Sequence, residues 1–295
     1  MNVEPIYLVQ LTLNGLMLGL IYALIATGLA LIFGVLDIIN FAHGELLMVG
    51  AYAMAFALPA LGGHYLPSLI VAMIASAALG YVLYEGFLAR LRDKDFERSI
   101  LITIGLSMVL LYGFQYLFTA TPKMVNTEFG FGGVSIGDIR ITWNRIAASG
   151  LALVAFGVLW FLLFKTQFGR AMRAVSVNRE AALMVGIQPR RVARGAVIVA
   201  TVLCGLAGAA LAPVHLVQPI MGQFLILKAF ALVIIGGLGS IPGAIVAGIG
   251  LGILESWIGG FFAVVWQEVA SFVVMILVLL VKPHGLFGAS RVRVG

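Results

Sequence analysis

At 295 residues, with 62% of them hydrophobic, 10% charged and a mean hydropathy of +1.12, the chain has too few charges to clothe a soluble core of its size. The net charge of +6 does not point to nucleic acid, because the cations fall between apolar runs and no basic domain with interleaved aromatics exists. The single cysteine, Cys204, excludes a disulfide framework or a thiolate metal site within the chain. What remains is an all-α polytopic membrane protein with about eight hydrophobic segments, read as one transmembrane domain over residues 1–295.

The first apolar run, 6–34, has no basic region before it and is too long for a signal-peptide core, so it is expected to stay as a span. A second run, 45–61, follows a polar interruption holding Asp37, Asn40, His43, Gly44 and Glu45. Placing Asp in a bilayer costs about 2.5 to 3.5 kcal/mol on an insertion scale, so such groups are expected to face a cavity or each other. Two readings stay open: Asn40, His43 and Glu45 line the translocation path or a gate, or Asn40 and His43 cap helix ends with Glu45 near the head groups.

Runs 66–89 and 99–118 come next, separated by a loop with four Lys/Arg at 90–98. The loop 119–144 has balanced charge, several glycines and two β-favouring runs, and reads as ordered and external. After the run 146–164 comes the basic stretch 165–194, with seven Lys/Arg against one acid, Glu180. Together with the three cations from Lys282 onward, these loops hold most of the 18 Lys/Arg and are expected in the cytoplasm. Three crossings before Arg90 then put the amino terminus outside.

Inside the basic stretch, Asn178 is an N-cap candidate, Glu180 suits the positive first turn, and Gly186 suits the left-handed C-terminal position before Pro189. The spacing predicts a helix of about two turns, too short to stand alone in water. Its apolar residues Leu183, Met184, Val185 and Ile187 suit a groove on a cytoplasmic partner. The alternative is a helix on the lipid surface, held by Arg170, Arg173, Arg190 and Arg191.

Three runs remain: 195–215, 225–256 and 257–281. Arg194 and Lys282 must share a side, so an even number of crossings must separate them. The count is restored if 225–256 breaks at Gly236, Gly237, Gly239, Ser240 and Pro242 into two half-helices that enter and return, a device that lines transport sites. Two thin full spans would serve equally. Gly236, Gly239, Gly243, Ala247 and Gly250 would form a small-residue packing stripe on a continuous helix. The break also echoes 39–52, suggesting two related halves. Lys228, Glu255 and Glu268 fit either a solvated pathway or snorkelling to an interface.

Chemistry motifs are missing. There is no GxxxxGK[ST], so ATP cannot be bound by a P-loop, and no HExxH or GxSxG; His43, His64, His215 and His284 are scattered. No catalytic residue, metal site or cofactor is expected.

In order along the chain, Tyr22-Ala23-Leu24, Gly28-Leu29, Phe33-Gly34-Val35, Ile39-Asn40-Phe41-Ala42-His43-Gly44-Glu45 and Gly50-Ala51-Tyr52 resemble the LivH-like permeases of bacterial ABC importers for branched-chain amino acids. So do Gly169-Arg170-Ala171-Met172-Arg173-Ala174, Glu180-Ala181-Ala182 with Gly186-Ile187, Leu227-Lys228-Ala229-Phe230, Gly236-Gly237-Leu238-Gly239-Ser240, Gly243-Ala244 and Glu255. The ending Lys282-Pro283-His284-Gly285-Leu286-Phe287-Gly288 is similar too, with Lys282 where Arg is commoner. The resemblance implies a multi-pass subunit of the bacterial inner membrane with the fold of type II ABC importer permeases. It further implies a second related permease, two cytoplasmic ABC ATPases that carry the ATP hydrolysis, and a periplasmic substrate-binding protein. The stretch 165–194 would then be an EAA-like coupling loop, with Glu180, Ala181, Ala182, Leu183, Met184, Gly186 and Ile187 as its coupling residues. Related permeases carry urea and short amides. An ion-coupled secondary transporter would instead require Asp37, Glu45 or Glu255 to couple.

Overall fold

The computed structural model describes residues 5–91, 96–130 and 132–288. The first helix, α1 (Pro5–Leu36), is apolar throughout, and its 32 residues make a rod of about 48 Å, longer than a hydrocarbon core of about 30 Å. It is followed by α2 (His43–Ala60), α3 (Tyr65–Gly86) and α4 (Phe96–Phe118). The loop between α4 and the next helix carries an antiparallel hairpin, β1 (Gly133–Ile136) with β2 (Ile139–Thr142), in which Val134 faces Ile141. Then come α5 (Trp143–Lys165), α6 (Gln167–Val177), α7 (Arg179–Met184), α8 (Pro189–Leu211), α9 (Met221–Gly236), α10 (Ile241–Phe261) and α11 (Val265–Val281). Six of these helices are long and apolar enough to cross a membrane.

Helices α1 and α8 form the buried centre, while α4 and α11 lie outside and present large apolar side chains where lipid or a partner can cover them. Missing side chains make the closest packing possible. Gly15 and Gly19 of α1 lie against Gly248 and Gly252 of α10, and Gly50 of α2 lies against Gly205 of α8. Lipid tails are as apolar as the helices, so such close backbone contact is a main source of association.

The two ends of the bundle are distinguished by their contacts. At the hairpin end the Gln10 side chain bonds both to the carbonyl and to the N–H of Arg140. His64 and Glu128 also lie 3.3 Å apart there. On the other side Arg190 and Arg194 of α8 each reach Glu85 of α3 at 3.2 Å, and the Tyr84 hydroxyl donates to the Arg190 carbonyl. The amino-terminal end of α1 thus lies opposite the basic loops.

Three expectations need correction. First, the break in 225–256 falls at the expected glycines, but the helices on either side are unequal: α10 has 21 residues and is long enough to span alone, whereas α9 has 16. Second, the turn after Gly236 does not match the break before α2. What meets that break is the start of α9: Gly44 lies against Gly222. Third, the small-residue stripe holds only in part: Gly243 packs against Gly236 and Ala247 is buried, but Gly250 faces open space, and the residues that meet α1 are Gly248 and Gly252.

Candidate functional site

In the basic loop the local signals produce the expected geometry. Thr166 caps α6 by accepting from the Gly169 N–H at 3.1 Å, and Asn178 caps α7 by accepting from the Ala181 N–H at 3.0 Å. At the far end Gly186 takes φ 81°, and the Ile187 N–H reaches back to the Ala182 carbonyl at 3.0 Å, closing the helix before Pro189 starts α8. The coupling candidates divide by face. Ala182 is buried and Ile187 packs on the core, whereas Glu180 and Ala181 are exposed. Leu183 is 58% exposed, Met184 89% and Val185 74%, an apolar edge that the protein itself leaves bare. Helix α6 was not anticipated. Its signal was Thr166 three residues before Gly169, ahead of an amphipathic stretch.

The break at 37–42 lies inside the bundle. The His43 Nε2 lies 3.1 Å from the Ile25 carbonyl, and about 16 Å of helix separates Ile25 from the end of α1 at Leu36. The chain therefore leaves α1, turns back beside α4, where Thr103 donates to the Ile39 carbonyl, and starts α2 deep in the bundle. Asn40 is buried and accepts from the Ala42 N–H at 3.0 Å, holding the turn. His43 caps nothing: α2 lacks a side-chain cap, and the His43 ring fills space against Gly28 instead. Glu45 is 1% exposed rather than near head groups, and accepts from Ser107 at 2.8 Å, with its second oxygen against Gly222.

The other pathway candidates sit elsewhere. Gly236 ends α9, Gly237 and Gly239 have φ 104° and 79°, and Ser240 caps α10 by accepting from the Gly243 N–H. Their turn is at the end of the bundle that carries the basic stretch, covered by the tail through bonds from Leu286 to the Ile235 carbonyl and from Phe287 to the Gly236 carbonyl. Gly239 and Ser240 line a cavity of about 350 Å3 whose opposite wall includes Arg173 and Ser176 of α6. Gly239 and Ser240 are thus neighbours of the basic loop, Gly236 and Gly237 pack against Gly243 and the tail, and this turn is separate from the cluster of Asn40, His43 and Glu45.

The sequence family described as "Branched-chain amino acid transport system / permease component" matches residues 11–280. The chain belongs to this permease family. It is 29% identical to the high-affinity branched-chain amino acid transport system permease protein LivH of Escherichia coli strain K12, over 99% of each chain. To BraD of Pseudomonas aeruginosa, a permease protein of the same description, it is 32% identical over 97% of each. In fold it is similar to a chain of PsaBC from Streptococcus pneumoniae solved in complex with Fab, with a TM-score of 0.50 and 12% identity over 93% of each chain.

The permease is thus a multi-pass inner-membrane subunit of an ABC importer. It also contains a polar cluster that single-residue reading missed. Lys228 of α9 lies 2.9 Å from Glu255 of α10 and 3.0 Å from the Tyr22 hydroxyl of α1, with its ammonium 4.7 Å from the Tyr22 ring centre. Glu255, 1% exposed, also accepts from Ser271 of α11. Neither residue snorkels; each is neutralised by the other. Two opposite lone charges in successive apolar helices were the signal, since intramembrane charges pair.

Proposed function

We propose that this permease forms half of the translocation pathway for branched-chain amino acids, paired with a second related permease. Two cytoplasmic ABC ATPases would dock on the basic loop, and a periplasmic protein would deliver substrate. The observation that carries this reading is the bare apolar edge of α7, Leu183, Met184 and Val185, on a helix capped at both ends. A capped helix of six residues has no reason to hold apolar side chains in water unless a partner groove covers them. ATP-driven movement of that partner would act on α7 and, through the ion pairs of Arg190 and Arg194 with Glu85, on α8 and α3 together.

The test is purification with native partners, followed by reconstitution into vesicles. Two ATP-binding chains should come with each permease pair, and leucine uptake should require ATP and the binding protein. Recovery without any ATP-binding chain, or uptake driven by a proton or sodium gradient with the permease alone, would overturn the proposal. Ligand binding by the associated periplasmic protein identifies which amino acid is carried.

A further inference from the structure

On the external face a cavity of about 290 Å3 opens between the first half of α1, the start of α5, the connection 212–220 and the facing ends of α10 and α11. That volume is near the lower end for small-molecule pockets, of order 300 Å3, so it suits a ligand the size of one amino acid. One wall is apolar, built from Leu11, Met17, Leu18 and Ile21 of α1. The other carries Arg145.

Arg145 is half-buried, and among the described residues no carboxylate lies within ion-pair distance of it. Its one hydrogen-bond acceptor there is the neutral amide oxygen of Asn14, at 2.7 Å. A guanidinium carries five N–H donors in a planar fork matched to carboxylates, and the described residues occupy only part of this one's capacity. Elsewhere in the bundle the contrast is plain: Lys228 has Glu255, and Arg190 and Arg194 share Glu85. A cation lacking a counter-ion in a confined pocket favours an anion from outside. Gln267, also on the cavity wall, has a side-chain oxygen that could accept from an ammonium.

We propose that this external cavity is a binding site within the permease for a small aliphatic amino acid, with Arg145 holding the carboxylate and the α1 wall receiving the side chain. The proposal rests on the transport reading above and places the site where substrate first meets the permease. Loss of the carboxylate contact should weaken binding about tenfold or more, the scale of a charge-assisted hydrogen bond.

Saturation-transfer NMR on the whole complex in nanodiscs, without the binding protein, tests this with leucine, leucinamide and glycine. Leucine methyls should receive transfer, leucinamide should bind about tenfold more weakly, and glycine should be weaker than leucine. Arg145→Gln should remove the preference for leucine over leucinamide, and Arg145→Lys should restore part of it. Equal binding of leucine and leucinamide by the wild type, or an unchanged preference in Arg145→Gln, overturns the site. If Arg145→Gln does not assemble, Arg145→Lys and the wild-type comparison decide between these outcomes. Uptake by the same complex with its binding protein tests the transport reading separately. If no branched-chain amino acid is carried, isovalerate against isovaleramide asks the same question of the cavity, and equal binding of the two overturns it.

Discussion

Where α8 passes α2, glycines have removed the side chains so that Gly50 meets Gly205 and Gly208 meets the Leu47 carbonyl, backbone against backbone. A short way back along the chain, α7 does the reverse and holds Leu183, Met184 and Val185 away from the protein. In the first region the chain is its own partner and every atom has a neighbour; in the second, local caps fix a shape and the packing is left to another molecule. Stability should therefore respond to the first region, and energy coupling to the second.

Four tests can break or sharpen that contrast. The largest loss of stability is expected where a buried charge is stranded: Lys228→Met alone should cost about 3–5 kcal/mol, read as a lower Tm in detergent. Lys228→Met combined with Glu255→Leu should recover most of that loss; a double variant no better than the single one would mean that the pair has a role beyond neutralising charge. Next, Gly50→Leu drives a side chain into the Gly205 backbone and should cost about 3 kcal/mol, visible as poor yield of monodisperse protein. Normal yield and Tm would show that α2 and α8 can part.

Gly186→Val comes third. At φ 81° a side chain is strained by about 1–2 kcal/mol, but a Cβ there has open space around it, so the damage stays in the loop. Membrane insertion should be normal and recovery of the ATP-binding partners reduced; full recovery counts against a role for the α7 end. Smallest in stability is Leu183→Asp with Met184→Asp, within about 0.5 kcal/mol because both side chains are exposed. The same variant should lose ATP-driven uptake altogether. Wild-type uptake by it would remove α7 from the coupling path.

What could be read from residues alone follows the range of the forces involved. Cap chemistry acts across a few residues, so Asn178, Gly186 and Pro189 were legible, as were the hairpin runs. The positions of Gly236 to Pro242 revealed a break but not its depth, which depends on the tail that covers it. Nothing local announces that α2 begins beside Ile25, or that Gly44 and Gly222 touch, because each contact joins distant segments with no charge or motif in common. The pairing of Lys228 with Glu255 lies between these cases: both charges stood out, and only the packing of α9 on α10 shows that they share one solution.

The tail that covers α9 also sets an order of events. The last carbonyls of α9, at Ile235 and Gly236, are satisfied by the N–H groups of Leu286 and Phe287, which are made only after α10 and α11. During synthesis the carboxyl end of α9 must therefore wait while two more helices are added. Closure of that end is a late checkpoint of assembly, and a chain cut short before Leu286 would carry a full set of membrane helices with an unfinished seam.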